Sequence, residues 1–355
     1  MLRKLLTPVI AMGLVTTSFA QDSTKAASLS ITGSADVYYK YDFGESSFNN
    51  YTSFTGSHNR FQLGMASVKL EHKTSKVDVV ADLGFGKRTQ EFSYNDEGIL
   101  QAVKQLYVSY SPNSIIKFTA GTWATHVGYE LVDPQLNRNY SMSYMFTNGP
   151  FFHTGLKADF TLGKSGLMVG VANPTDYKYV PEGVINKKFL LAQYSYAASD
   201  LFKFYLNYVG GKAIDTSKTS QFDVVITSKL SDKFSLGYNG TVNSIKVWDG
   251  EKNMDSKSWW GSAIYLNLDP TATFGLTLRS EYFSDKHDLK IPHPAAAMNG
   301  CNIFANTLSA NFRIDNLTII PEFRIDNASQ EIFVKKDGAP TKSAANVLVA
   351  AVYSF

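Results

Sequence analysis

Residues 272–283 read Ala-Thr-Phe-Gly-Leu-Thr-Leu-Arg-Ser-Glu-Tyr-Phe. Phe274, Leu276, Leu278 and Tyr282 share one parity, and Thr277, Arg279 and Glu281 share the other. A period of two belongs to a β-strand, whose successive side chains point to opposite faces. One face here is oily and the other charged. The pattern returns in residues 317–327, where Ile319, Pro321, Phe323 and Ile325 oppose Glu322, Arg324 and Asp326. It returns in 77–85, with Val77, Val79, Ala81, Leu83 and Phe85 against Asp78 and Asp82, and in 152–162, with Leu156, Ala158, Phe160 and Leu162 against Lys157 and Asp159.

Outward from these four, similar runs cover 30–41, 61–72, 101–110, 115–123, 166–172, 189–196, 202–209, 221–230, 234–243, 259–268, 304–314 and 346–355. That gives about sixteen strands, an even number within the range of single-chain outer-membrane barrels. The connections alternate short and long. The short ones, at 74–76, 111–114, 163–165, 199–200, 231–233, 269–271 and 315–316, are rich in Gly, Pro, Asn, Asp and Ser, which suit tight hairpins. This rhythm predicts an all-β fold, a closed antiparallel transmembrane β-barrel with short periplasmic turns and long extracellular loops.

Magnitudes assign the faces. An Arg or Lys at the bilayer midplane costs about 2–4 kcal/mol, so turning every charged face outward would cost on the order of tens of kcal/mol. A native fold has only about 5–15 kcal/mol to lose. The charged faces therefore line the inside. The sheet must also close, because hydrocarbon offers no partner to a free strand edge. Tyr38, Tyr39, Tyr41, Tyr194, Tyr196, Trp259 and Trp260 sit near strand ends and fit an aromatic girdle or an ordinary core.

The ends carry addresses. Arg3 and Lys4, an apolar stretch from Leu5 to Val15, and Ser18-Phe19-Ala20 before Gln21 form a signal peptide over 1–20, with the barrel as 21–355. The alternative, an N-terminal anchor, fails on length. At the other end Val347, Val349, Ala351, Tyr353 and Phe355 share one parity, and the terminal Phe355 resembles the tag read by the outer-membrane barrel assembly machinery. The expected location is the bacterial outer membrane.

The formal charge is +3, and removing the leader takes two basic residues and no acids, which leaves +1. Nucleic acid is not implied as a partner. Cys301 is the only cysteine, so no internal disulfide forms. The six histidines, His58, His72, His126, His153, His287 and His293, are scattered. No Gly-x-Ser-x-Gly elbow and no His-Glu-x-x-His pair occurs. His153 reads as a polar pore or loop residue rather than a base. We expect no enzyme, no cofactor and no metal.

The longest connection, 124–151, follows the fifth strand. A structureless loop of that length is unusual without a role. Here Gly121-Thr-Trp-Ala-Thr-His-Val-Gly-Tyr-Glu130, Asp133-Pro-Gln-Leu-Asn137, Asn139-Tyr-Ser141 and Gly149-Pro-Phe-Phe-His-Thr-Gly155 resemble the outer-membrane β-barrel porin family, OmpL-like. The resemblance implies a passive diffusion channel for small polar solutes, as a homotrimer by analogy with general porins. In general porins the third long loop folds into the barrel and narrows it. The expected constriction residues are His126, Tyr129, Glu130, Asp133, Arg138, Tyr140 and Tyr144. The competing expectation is a loop on the surface, where loops normally lie. The expected pore lining includes Lys117, Lys157, Asp159, Arg279, Glu281, Arg313, Glu322 and Arg324. Positive and negative wall charges balance, which argues against strong ion preference. Two alternatives remain: a sugar-type specific channel with Tyr129, Tyr140, Tyr144 and Phe146 as a stacking track, and a barrel enzyme or surface-binding protein.

Overall fold

The computed structural model describes residues 28–183, 186–199, 201–291 and 300–355. Residues 1–20, expected above to be a signal peptide, lie outside them, as do Asp200 and His293. The strands are β1 Ser28–Asp42, β2 Arg60–Lys73, β3 Val77–Phe85, β4 Val103–Tyr110, β5 Ile116–Ala124, β6 Phe152–Leu162, β7 Ser165–Ala172, β8 Phe189–Ser199, β9 Phe202–Lys212, β10 Lys218–Lys229, β11 Phe234–Lys246, β12 Lys257–Thr271, β13 Phe274–Asp285, β14 Cys301–Ile314, β15 Leu317–Ala328 and β18 Ser343–Ser354. A two-stranded hairpin, β16 Phe333–Val334 with β17 Pro340–Thr341, decorates the last outer loop. The sixteen long strands pair antiparallel with their neighbours, and β1 pairs with β18 from Ser34–Ser354 to Asp42–Asn346, closing the barrel. Backbone bonds of 3.0 Å in both directions between Gly33 and Phe355 finish the seam.

The parity reading holds through the wall. Leu278, Tyr282, Phe304, Leu308, Phe323 and Val349 are exposed outward, while Thr277, Arg279, Glu281, Thr307, Glu322 and Arg324 are buried inward. The strands run two or three residues past several expected ends, because hydrogen bonding continues beyond the last apolar side chain. The turn expected at 269–271 lies later. Strand β12 persists to Thr271 through a register irregularity after Leu268, and Asp269 turns to accept a 2.9 Å bond from Arg313 Nη2. Asp315, at φ 51°, takes the left-handed position in the turn at 315–316, which Asp tolerates better than most residues.

The aromatics near strand ends divide between the two readings, girdle and core. Tyr38 and Trp259 do not join a girdle; their parity points inward and both are buried, while their neighbours Tyr39 and Trp260 face outward. The inner wall is also less polar than its charges suggest. Trp259, Tyr265, Phe283 and Ile303 form one buried cluster with Tyr144 and Met145. Tyr38, Ile320, Leu348 and Val352 form another around Tyr140. These inward apolar side chains stay dry because residues of the longest loop cover them. Loops reach into the upper lumen as well: Phe54, Phe92, Phe146 and Phe151 pack together with Val132 and Met142.

Because Leu278 faces hydrocarbon near mid-strand, Leu278→Arg should destabilise the barrel by about 2–4 kcal/mol in vesicles, whereas lumen-facing Thr227→Arg should cost far less. Equilibrium denaturant unfolding in phosphatidylcholine vesicles measures both.

Candidate functional site: a loop held inside the barrel

Residues 125–151 leave the wall at Ala124 and rejoin it at Phe152. Thr125 N donates to Phe151 O at 3.0 Å, closing the base. Inside, the loop has only a short 3-10 turn, Pro134–Leu136, and one helical turn, Tyr144–Asn148, capped by Ser143. Most of its backbone polar groups therefore need partners from elsewhere. The inward charges of β13 to β15 supply them.

Glu322 accepts from Tyr140 N at 2.9 Å and Ser141 N at 3.3 Å. Glu281 accepts from Tyr144 N at 2.9 Å and Met145 N at 2.8 Å. Arg279 donates to Ser141 O at 2.6 Å, Met142 O at 3.2 Å and Glu130 Oε1 at 2.5 Å. Arg324 donates to Met142 O at 2.8 Å and to Asp326 at 2.8 Å. Carboxylates take the loop's N–H groups and guanidinium groups take its carbonyls. Glu130 Oε2 also accepts from Ser143 N at 2.8 Å, so it ties the two limbs of the loop together.

The loop's tyrosines anchor it too. Tyr144 OH donates to Asp326 at 2.8 Å, with its ring beneath Arg324 at 5.2 Å. Tyr140 OH donates to Asp36. Asp36 reaches it by lying against Gly64, where a Cβ would sit 1.6 Å from the carboxylate oxygen. Tyr129 stacks on Tyr265 with centroids 4.0 Å apart. Asp133 pairs with Lys104, which also holds Asp82 at 3.1 Å. Arg138 pairs with Asp269. His126 Nε2 lies 3.0 Å from Tyr208 O, and burial pushes this imidazole down to about 4.

The structure thus brings all seven expected loop residues into the barrel, but as anchors. Tyr140, Tyr144, Glu130 and Asp133 are buried. A stacking track of Tyr129, Tyr140, Tyr144 and Phe146 does not exist: Tyr140 and Tyr144 are sealed, and Phe146 stacks on Phe151 at 5.2 Å. Among the expected lining residues, Arg279, Glu281, Glu322 and Arg324 do face inward, yet the loop covers them and they line no open water. Lys117, Lys157, Asp159 and Arg313 keep partial access and are paired: Lys117 with Asp78 at 3.2 Å, Lys157 with Asp159 at 3.2 Å, and Arg313 with Asp269 at 2.9 Å.

Sequence reasoning missed Arg88. It is fully buried above the rings of Phe54 and Tyr140 and donates to Val132 O at 3.1 Å. Its helix, Lys87–Phe92, sits in an outer loop, where no periodicity marks it. No group of three His, Cys, Asp or Glu side chains among the described residues is placed to hold a metal ion.

Open space lies on both sides of the loop. Above it, a vestibule of about 480 Å³ is lined by Tyr94, Asn148, Tyr177, Gln221, Asn243 and Lys290. Below it, a cavity of about 320 Å³ is bounded by Asp133, Gln135, Leu136, Lys69 and Lys104. The 790 Å³ cavity is larger but sits on the membrane-facing wall, against Leu206, Phe222, Val242 and Trp260. On the vestibule rim, Asp176 accepts from Phe151 N at 2.7 Å and from Tyr94 OH at 2.9 Å. Burial outweighs those bonds and pushes its carboxyl up to about 6.

Residues 28–355 match the family described as "Putative beta-barrel porin-2, OmpL-like". The chain belongs to this family. It is an outer-membrane β-barrel channel for small solutes, located in the bacterial outer membrane. No curated protein matches the sequence. Solved structures share the fold. The outer membrane channel DcaP of Acinetobacter baumannii aligns at TM-score 0.64 and 13% identity, covering 93% of this chain and 97% of its own. An anion-selective porin from Comamonas acidovorans aligns at 0.62 and 10%, covering 93% and 100%. OmpT of Vibrio cholerae, in its trimer form, aligns at 0.61 and 11%, covering 93% and 100%.

Arg279→Met should strand buried Glu130 and free two loop carbonyls, at a cost of about 3–5 kcal/mol. The expected signs are a lowered unfolding midpoint and protease cleavage within 131–138, which the parent resists. Asp176 gives a pH signature. Its folded value of about 6 exceeds the ordinary 3.8, so the folded state holds the extra proton between those values and stability falls as pH rises from 4 to 6, by up to roughly 3 kcal/mol. Asp176→Asn should flatten the unfolding midpoint across that window.

Proposed function

We propose that the protein is a passive, weakly selective porin whose third long loop sets the constriction. The observation that supports this most is that one loop lines both cavities: 148–150 bound the vestibule above, and Asp133, Gln135 and Leu136 bound the cavity below. A solute moving between them passes the loop. Most of the wall charges that solvent can reach are paired, as Lys69 is with Glu71 at 3.5 Å, with Lys203 on β9 the exception. A lumen of this kind exerts little net field on an ion. The loop's position is fixed by bonds to its backbone, so small solutes would meet a static gap rather than a lid. Transport then needs no catalytic step, cofactor or metal.

Two partners belong to the same reading. Tyr353 and Phe355 stand outward at the periplasmic rim, accessible to the assembly machinery. Assembly as a homotrimer follows the precedent of the Vibrio cholerae protein, described in a trimer form.

Planar-bilayer recording tests the proposal. Purified protein should give stepwise conductance, with a reversal potential near zero in a tenfold KCl gradient. Deleting residues 133–148 should raise the unit conductance at least twofold. Silence at all voltages would overturn the channel reading, and an unchanged conductance after the deletion would remove the loop from the constriction.

A further inference from the structure

On the outer face of β9, β10 and β11, three lysines stand directly opposite one another. Lys218 pairs in register with Lys212 on one side and with Lys246 on the other. Their parity is that of Leu206, Phe222 and Val242, which face the membrane. Lys188, two residues before the Leu190–Gly210 pair, continues the row toward β8. Like charges directly opposite across strands repel, and this sheet contains the arrangement twice. No salt bridge among the described residues involves Lys212, Lys218 or Lys246. Lys212 lies over the Trp248 ring at 5.5 Å.

The height of the row is informative. From Phe202, at the periplasmic end of β9, to Lys212 is about 33 Å along the strand. At the usual tilt of about 40° that rises roughly 25 Å, the thickness of the apolar band, which places the lysines at outer headgroup level. The next outward tier is small: Gly210, Ser220 and Ser244, again in register. Below it opens the 790 Å³ groove, walled by Leu206, Tyr208, Phe222 and Val242, with the Tyr238 ring lying over Gly240 and reaching Ser262 at its floor. Cations, hydroxyls and an oily trough follow one another down the same strands.

We propose that this face docks a phosphate-bearing, multi-acyl lipid of the outer leaflet, with a phosphate on the lysine row and an acyl chain in the groove. The occupant is chosen by charge: a second protein copy would bury three unpaired cations, whereas a lipid phosphate neutralises them. The inference rests on outer-membrane placement and stands whether or not the barrel conducts.

The test uses full-length protein, stripped of lipid in detergent and offered equal amounts of diphosphorylated lipid A and phosphatidylcholine, read by native mass spectrometry. One retained lipid A, favoured at least tenfold, is expected. The combined variant Lys212→Gln, Lys218→Gln and Lys246→Gln should lower that retention at least tenfold. The matched variant Lys76→Gln, Lys164→Gln and Lys233→Gln, on the opposite rim, should not. Ser262→Phe, which fills the groove, should also lower it while the barrel keeps its heat-modifiable migration. The proposal is overturned by equal retention in all variants, by equal loss in the opposite-rim variant, by displacement with equimolar inorganic phosphate, or by a change in oligomeric state with lipid retention intact.

Discussion

A segment with little regular secondary structure, enclosed by a barrel wall, must find partners for its backbone or stay in water. Here the wall provides them. Glu281 and Glu322 each take two successive N–H groups, and Arg279 and Arg324 take the carbonyls between. Each ion is desolvated; Arg279 is paired with Glu130 and Arg324 with Asp326, and Glu281 and Glu322 are met by peptide N–H groups, which makes the buried charge tolerable. The loop's inward course, the two cavities and the dryness of the apolar inner residues depend on this set of bonds.

Much of the barrel was legible in the sequence because lipid punishes charge on one face of every strand. The parity of Leu278 against Arg279, or of Phe323 against Glu322, has only one tolerable solution. The loop's role was legible only in part. Arg279, Glu281, Glu322 and Arg324 look the same in sequence whether they meet water or a peptide chain, since a period of two reports the side and not the cover. The inward rows of Trp259 and Tyr265, or of Leu348 and Val352, held the better clue. Apolar residues at lumen parity mean that something dry lies over them, and the loop with its Tyr140, Tyr144 and Met145 is what lies there.

The cross-section is consequently unequal. The β13–β15 sector is spent on the loop. The β8–β11 sector carries amides instead: Gln193 donates to Asn207, Asn207 and Asn239 both donate to Asp223, and Asn243 donates to Gln221. Asp223 also accepts from Gly128 N at 3.1 Å, so even this side holds the loop near its root. One sector grips the loop through two carboxylates and two guanidinium groups, the other through a single carboxylate, Asp223, set among amides.

That division bears on what the lumen can discriminate. Ion selectivity requires charge facing the path and free to act on the permeant ion. In this barrel the buried charges of β13 to β15 are turned into the loop, and Lys117, Lys157 and Arg313 each have a carboxylate within 3.2 Å, whereas no described carboxylate pairs with Lys203 on the inner side of β9. The weakly selective porin proposed above requires such a lining to act through size and loss of hydration more than through sign. Lys212, Lys218 and Lys246 stand apart from this lumen, at outward parity on β9, β10 and β11, and no described carboxylate pairs with them.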